Sequence, residues 1–366
     1  MTPSPAGTPP DHAVRPLPRR CLLGLALAVM PWFGLAGGTA HASDAAPLDP
    51  VERSRAMERA QRAVVGVQAL ALEGARSART LGPLRIGSGV VIGADGLVLT
   101  IGYLVLEADA VLLQLDGAGA VPARVVAYDV ATGLGLVRAL APLPMAPVPL
   151  AMAGAAEPGE GHTIVSGGED GEVSPARLLS VGPFSGYWEY HLDRAIVTVP
   201  PRRDHSGAAL FNARGELVGI GSLLLPDVSP LVATAAGGER LPRQPGNVFV
   251  PAELLPPILD ELLRRGHSQA SDRAWLGVNC AEFGDGLRVL RVQDDSPAEV
   301  AGLQPGDRIL RVDGLTVGSL AALWKALWAG AAERPVQLEI ERGDAAQTLT
   351  VHTVDRARTL RRAEGI

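Results

Sequence analysis

Disulfide-forming cysteines and metal-binding patterns are nearly absent from this chain of 366 residues. It contains two cysteines, Cys21 and Cys280, and Cys21 lies in an N-terminal segment that we expect to be removed. Cys280 would then stand alone, which excludes an internal disulfide in the mature chain. The seven histidines are scattered, with no H-x-x-x-H or C-x-x-C pattern near them, so we expect no metal site and no cofactor.

An excess of basic charge is absent as well. The net charge is −6, the isoelectric point is about 5.7, and Lys325 is the only lysine. We therefore expect no nucleic-acid partner, because binding to a phosphate backbone needs clustered positive charge. The chain is instead rich in apolar residues: 47% are hydrophobic and 20% are charged, which is enough to bury substantial cores.

The first 42 residues have the features of an export signal. Positive charge in "RPLPRR" precedes the apolar stretch "CLLGLALAVMPWFGLAGG", and "AHA" offers small residues for cleavage after Ala42. The alternative is an uncleaved membrane anchor, which the length of the stretch allows. Pro31 and "AHA" favour removal, so we expect an exported, periplasmic protein. The general and the twin-arginine export routes both stay open.

Residues 64–266 consist mainly of short apolar runs separated by Gly, Asp and Pro turns, after a helical segment at 43–63. This spacing is typical of antiparallel barrels or sandwiches, and two sets of about six strands fit two packed barrels. "VPAELLPPILDELLRRG" is then predicted to be an amphipathic helix, followed by a polar linker. Residues 273–355 form a smaller α+β unit, in which Ser319 is a plausible N-cap, and 356–366 form a charged, solvated tail.

Four segments resemble, in order and spacing, those of the HtrA/Deg family of trypsin-like serine proteases: "GSGVVIGADGLVLT", "DVATGLGLVRA", "DHSGAALFNARGELVGIGS" and "NVFVPAELLPPILDELLRRG". "WLGV" together with "DDSPAEVAGLQPGDRILRVDGLTV" resembles the PDZ domain that follows the protease in that family. The resemblance covers roughly residues 60–355. It implies a mostly β protein with two six-stranded antiparallel trypsin-like barrels and a C-terminal PDZ domain.

The resemblance places a nucleophile position at Ser206, but the partners of a nucleophile are missing. Trypsin-like catalysis needs a histidine base, an aspartate that orients it, and N–H donors for the oxyanion. The family's histidine position holds Tyr103 in "TIGYLV", and its aspartate position holds Gly133 in "TGLGLV". Asp204 stands at a glycine position of the oxyanion loop, where a carboxylate would repel a developing oxyanion. Ser206 is therefore interpreted as a retained but inactive nucleophile.

Three histidines are the other candidate bases for Ser206. His205 is adjacent in the chain, although neighbouring side chains of a tight turn usually point apart. His191 and His162 belong to the second barrel. We expect all three to be surface or structural residues, and Asp129, four residues before Gly133, is given no catalytic role.

The PDZ-like unit keeps its binding features. PDZ domains add a peptide C-terminus as a strand to a sheet edge, and loop N–H groups hold its carboxylate. The resemblance assigns that loop to "AWLGV", with Trp275, Leu276, Gly277 and Val278. The helix "SLAALWKALWAG" would supply groove side chains, namely Leu320, Leu323 and Leu327, for which a purely core role is the alternative.

Three functional hypotheses follow from the sequence. The first is an exported HtrA-like pseudo-protease that binds peptide C-termini or unfolded segments as an adaptor, a chaperone or a decoy. The second is a divergent serine endopeptidase that uses Ser206. The third is a structural role within an envelope complex. Partners would be protein C-termini, an active HtrA-family protease or envelope proteins. Residues 43–102 contain no Phe or Trp and no Tyr, which argues against the trimer common in the family and leaves the oligomeric state open. Tyr103 follows immediately after this range.

Overall fold

A computed structural model of the chain describes residues 49–117, 119–235 and 241–361. The predicted export signal lies outside these ranges. No helix among the described residues is long and apolar enough to cross a bilayer. The first described element is helix α1 (Pro50–Arg62), which begins where the Asp49 side chain accepts hydrogen bonds from the N–H groups of Val51 and Glu52 at 2.8 Å.

The first barrel closes six antiparallel strands in the order β1-β2-β3-β6-β5-β4. Two four-residue helices, α2 (Ala78–Leu81) and α3 (Gly102–Val105), lie between strands. The strands are β1 (Val64–Ala71), β2 (Leu84–Val91), β3 (Leu97–Ile101), β4 (Ala108–Leu115), β5 (Gly119–Tyr128) and β6 (Leu134–Ala139).

The second barrel repeats this architecture in the order β10-β11-β12-β9-β8-β7. Its elements are β7 (Gly161–Val165), β8 (Val173–Gly186), β9 (Tyr190–Val199), β10 (Ala209–Phe211), β11 (Leu217–Leu225), helix α4 (Ser229–Ala235) and β12 (Gly246–Pro251). One hydrophobic cluster extends from Leu99 and Leu136 in the first barrel to Phe211 and Val250 in the second. Each such buried side chain contributes about 1.5–3 kcal/mol, so the two barrels stabilise each other.

The long helix predicted after β12 is wrong in its first half. A 3-10 turn covers Ala252–Leu254, and helix α5 spans only Leu259–Arg265. Pro256 and Pro257 explain the break, because proline lacks an N–H donor and restricts the residue before it. Leu262 is buried in α5, whereas Leu263 is 41% exposed. A second 3-10 turn follows at Gln269–Ser271.

The C-terminal unit has its own hydrophobic core and a sheet in the order β14-β15-β16-β18-β19, so β14 is an edge strand. The Ser319 Oγ accepts from the N–H of Ala322 at 3.1 Å, which makes it the N-cap of helix α7. The elements are β13 (Ala274–Trp275), β14 (Val278–Phe283), β15 (Gly286–Val292), helix α6 (Pro297–Val300), β16 (Arg308–Val312), β17 (Leu315–Thr316), α7 (Leu320–Trp328), β18 (Pro335–Arg342), β19 (Ala345–His352) and β20 (Val354–Asp355).

The tail was expected to be solvated, and in its described part some side chains are exposed, Arg358 among them, while others make contacts. A 3-10 helix covers Arg356–Thr359, and the guanidinium of Arg356 lies 5.0 Å from the centre of the Trp275 ring. The N–H of Arg361 donates to the carboxylate of Glu107 in the first barrel at 3.0 Å. The tail therefore fastens the C-terminal unit to the first barrel.

Candidate functional site

Ser206 lies in the turn between β9 and β10, and this turn is pinned between the two barrels. Its carbonyl accepts from the N–H of Ser88 at 2.8 Å, and the N–H of Gly207 donates to the Gly221 carbonyl at 2.8 Å. Gly207 has φ +74°, and a Cβ there would lie 1.9 Å from the Ser88 carbonyl oxygen. The Ser-Gly pair thus has a structural reason to be present that is independent of catalysis.

Tyr103 reaches Ser206 from α3. Its Oη lies 2.8 Å from Ser206 Oγ and 2.9 Å from the carbonyl oxygen of Ser222. A carbonyl only accepts and a phenol has one proton, so both contacts are satisfied when Tyr103 donates to Ser222 and Ser206 donates to Tyr103. Burial raises the pKa of Tyr103 to about 12, against the opposing effect of the Ser206 hydrogen bond. The Tyr103 phenol therefore stays protonated at neutral pH and cannot act as a general base for Ser206.

Gly133 has no room for the aspartate that its position implies. It has φ +79°, and a Cβ would lie 2.9 Å from the Oη of Tyr190. That phenol donates to the Thr132 carbonyl at 2.6 Å, and its burial raises its pKa. Tyr190 of β9 thus occupies the space that a side chain at position 133 would need.

Asp129 is committed to holding the linker after α5. Its carboxylate accepts from the Ser268 N–H at 3.0 Å, the Ser271 Oγ at 2.6 Å and the Thr132 Oγ1 at 2.7 Å. Burial alone would raise the pKa of Asp129, but the hydrogen bonds from these three residues hold it below its usual range. Asp129 therefore has a structural role, and the sequence analysis gave it no catalytic one.

The carboxylate of Asp204, which was expected to repel an oxyanion, has a cationic partner in the structure. It forms a two-pronged ion pair with Arg202, whose Nε donates to Oδ1 at 2.9 Å and whose Nη2 contacts Oδ2. The Ser166 hydroxyl also donates to it. Burial would raise the pKa of Asp204, but Arg202 and Ser166 hold it below its usual range. Arg202 itself is buried and donates to Ser174 Oγ at 2.6 Å.

The three candidate histidine bases bond elsewhere. His205 Nδ1 lies 3.0 Å from the Arg203 carbonyl, and burial lowers the pKa of His205. His191 contacts Ser185 Oγ at 2.8 Å through Nδ1 and Asp193 at 3.2 Å through Nε2. His162 Nδ1 lies 3.3 Å from the Glu160 carbonyl. Within the described ranges, the hydroxyl of Ser206 has no histidine partner.

The loop before β14 holds a carboxylate. The N–H groups of Leu276, Gly277 and Val278 all donate to the side chain of Glu189, at 3.1, 2.7 and 3.1 Å. Gly277 has φ +85°, and a Cβ there would lie 2.3 Å from Ser296 Cβ. Burial raises the pKa of Glu189, while Arg356 and the three N–H groups act in the opposite direction. The predicted donors converge as expected, but on an acceptor from this same chain.

The other predicted peptide-binding side chains serve the core. Trp275 is buried in β13, with the guanidinium groups of Arg76 and Arg356 over its ring at 5.4 and 5.0 Å. The predicted leucines of α7 are all buried in the core of the C-terminal unit: Leu320, Leu323 and Leu327.

The residues that sequence reasoning missed are Glu189 and Tyr190. A signal for them exists in "FSGYWEY", residues 184–190, which places four aromatic residues within seven positions of a chain that is 4% aromatic. An aromatic cluster in a turn suggests a buried contact but does not identify its partner, because a sequence does not display long-range pairing.

Comparisons with known proteins agree with this architecture. A model of the trypsin-like peptidase domain matches residues 87–220, and a model of the PDZ domain matches residues 274–353. A probable periplasmic serine endoprotease DegP-like of Marinomonas sp. (strain MWYL1) is 30% identical over 318 residues, covering 78% of this chain and 59% of the relative. A protein of the same name from Brucella suis biovar 1 (strain 1330) is 28% identical over 258 residues, covering 64% of this chain and 46% of the relative. The chain thus spans about half to three-fifths of these relatives.

Solved structures share the fold. The serine endoprotease from Yersinia pestis superposes with a TM-score of 0.51 at 20% identity, covering 83% of this chain and 97% of that one. The HtrA-type protease AlgW with tripeptide superposes with a TM-score of 0.51 at 20% identity, covering 84% of this chain and 97% of that one. At this identity the likeness concerns the fold.

Proposed function

The chain belongs to the HtrA/Deg family of trypsin-like serine proteases with a PDZ domain, and we propose that it is an exported, periplasmic member that binds peptide C-termini without cleaving them. The periplasmic location is supported by the relatives, which are named periplasmic endoproteases. The observation that carries the binding role is the set of three loop N–H groups, from residues 276–278, that converge on one carboxylate. This is the chemistry a peptide C-terminus requires.

The absence of cleavage is supported by the surroundings of Ser206. A serine hydroxyl needs a base, and the group that Ser206 contacts is a phenol whose pKa is raised to about 12. The space for the orienting acid is filled by Tyr190. Loss of a triad member typically lowers the rate by several orders of magnitude.

A second candidate function is serine endopeptidase activity through Ser206. The comparisons favour this candidate over the first, because the relatives are named serine endoproteases. The geometry favours the first, and the retained hydroxyl of Ser206 alone does not supply a base.

Cleavage of casein by the purified protein, with Ser206→Ala as the control, separates the two. We expect no cleavage by either form and no labelling of Ser206 by a fluorophosphonate above the Ser206→Ala level. Cleavage that disappears in Ser206→Ala would overturn the non-cleaving function and establish the endopeptidase.

A further inference from the structure

The groove between β14 and α7 already contains the tip of a hairpin, residues 186–189, which join β8 to β9. Trp188 pairs with Asn279 of β14 as an antiparallel bridge, and the N–H of Cys280 donates to the Tyr187 carbonyl at 2.7 Å. This is how a bound peptide adds to a sheet edge, and β14 is the edge strand here.

The segment runs in the direction that a C-terminal ligand would take. Going from Tyr187 to Glu189 along the chain leads toward the loop, and Glu189 delivers its carboxylate to the N–H groups of residues 276–278. Glu189 stands in the place of a last residue, with its side-chain carboxylate substituting for a main-chain one. Tyr187 and Trp188 then stand two positions and one position before the end.

The opposite wall of the groove holds the same segment. The Nε1 of Trp324 in α7 donates to the Gly186 carbonyl at 3.1 Å. Lys325, the next residue of α7, contacts the carboxylate of Asp193 in β9 through its Nζ at 2.6 Å. The strand wall and the helix wall of the groove therefore both bind the second barrel.

We propose that residues 186–189 are an internal ligand of the PDZ groove, and that a free peptide C-terminus binds only by displacing them. This rests on the proposed function, namely that the groove binds C-termini. The ligand class that fits is an extended peptide with a free α-carboxylate, because its backbone can pair with β14 while its terminal carboxylate accepts from the three N–H donors. Peptide binding is thereby opposed by an intramolecular competitor.

The test uses a fluorescein-labelled peptide of residues 182–189, "GPFSGYWE", with a free C-terminus, and measures its binding by fluorescence anisotropy. We expect Glu189→Ala to bind it at least about tenfold more tightly than the wild-type protein, since a groove that is open about a tenth of the time weakens apparent affinity by that factor. Glu189→Gln, which keeps the shape of the side chain, should give a smaller gain. Glu157→Ala, at an exposed carboxylate, is the matched control and should bind like wild type.

The outcomes separate this inference from the proposed function. Equal affinity of the wild-type protein and both Glu189 variants would overturn the internal ligand and leave the groove function standing. Binding by no variant, or equal binding of a peptide amidated at its C-terminus, would overturn the groove function.

Hydrogen–deuterium exchange tests the internal ligand without any peptide. The amides of residues 276–278 and of Cys280 should be protected in the wild-type protein and should exchange at least about tenfold faster in Glu189→Ala. Amides that exchange equally fast in both proteins would overturn the internal ligand, whatever the peptide does.

Discussion

The turn that carries Ser206 and the loop that carries Gly277 both contain a tightly packed glycine at positive φ. Their polar groups bond to different kinds of partner. Gly207 and Gly277 both have positive φ, at +74° and +85°, and a Cβ at either would overlap a neighbour. Around Ser206, the Tyr103 phenol, the Arg202–Asp204 ion pair and the backbone N–H groups all bond to residues of the two barrels. Around Gly277, three N–H groups meet one carboxylate. Tight glycine packing can therefore persist for structural reasons, whereas N–H donors that converge on one point imply an acceptor.

The two regions are joined through adjacent residues. The carboxylate of Glu189 is bound by the N–H groups of the Gly277 loop, and the next residue, Tyr190, fills the space beside Gly133. Trp188 stacks on Tyr190, with ring centres 5.7 Å apart and planes at 11°. The proposed internal ligand, residues 186–189, is thus followed directly by the tyrosine that fills the space beside Gly133.

The largest effect is expected at Gly277. In a Glu189→Ala background, Gly277→Ala should weaken binding of the "GPFSGYWE" peptide about 100-fold. The new Cβ would lie 2.3 Å from Ser296 Cβ and would displace the loop N–H groups. Hydrogen bonds to a charged group contribute about 1.5–3 kcal/mol each, and about 3 kcal/mol corresponds to that factor. Anisotropy titration measures it.

Gly302→Ala is the matched control for this substitution. Gly302 has φ +80°, and no atom lies within 4 Å of its built Cβ, so it introduces the backbone strain without the overlap. Peptide affinity should be unchanged in Gly302→Ala. Equal losses in the two variants would show that strain, and not the carboxylate loop, governs binding.

A smaller effect is expected at the ion pair beside Ser206. Arg202→Leu should lower the free energy of unfolding by about 2–3 kcal/mol, because it removes charge-assisted hydrogen bonds and leaves the Asp204 carboxylate without its cation. Urea unfolding followed by circular dichroism measures the change.

The control is Arg358→Leu, which breaks the exposed pair with Glu333 and should cost less than about 0.5 kcal/mol. The double variant Arg202→Leu with Asp204→Ala should recover part of the loss. If Arg202→Leu is as mild as Arg358→Leu, the pair does not hold the turn together.

The sequence was sufficient for the fold class because strand and turn signals are local. Short apolar runs between glycine turns predicted barrels or sandwiches, and the resemblance to the HtrA/Deg family predicted the trypsin-like barrels and, through "WLGV", the carboxylate loop. The partner of that loop was not found, because the contact between Glu189 and Gly277 joins positions 88 residues apart. The same limit hid Tyr190 beside Gly133. The prediction of a long helix before the linker failed for a local reason, because Pro256 and Pro257 break the helix despite its leucine periodicity.

Gly133→Asp should lower the free energy of unfolding by about 1–2 kcal/mol and should bring no protease activity. Gly133→Asp places a side chain at φ +79° and 2.9 Å from the Tyr190 Oη. Gly117→Asp, at φ +68° with open space around it, is the control for strain and should cost less. We expect no casein cleavage by the triple variant Tyr103→His, Gly133→Asp, Asp204→Gly. Cleavage by that variant would show that Tyr190 is no obstacle to an orienting acid.

The smallest expected effect is a flat pH profile for the labelling of Ser206. Because burial raises the pKa of Tyr103 to about 12, its phenol stays protonated as the pH rises through the neutral range, and a phenolate base forms only near that value. A histidine base would instead lose its proton near pH 6.5 and activate the serine above it. Any residual fluorophosphonate labelling above the Ser206→Ala level should therefore show no step in rate between about pH 5.5 and 7.5, where ordinary histidines titrate. Tyr103→Phe should leave the profile equally flat. A step near pH 7 that Tyr103→Phe preserves would identify a histidine acting on Ser206 and would remove the contrast between the two turns.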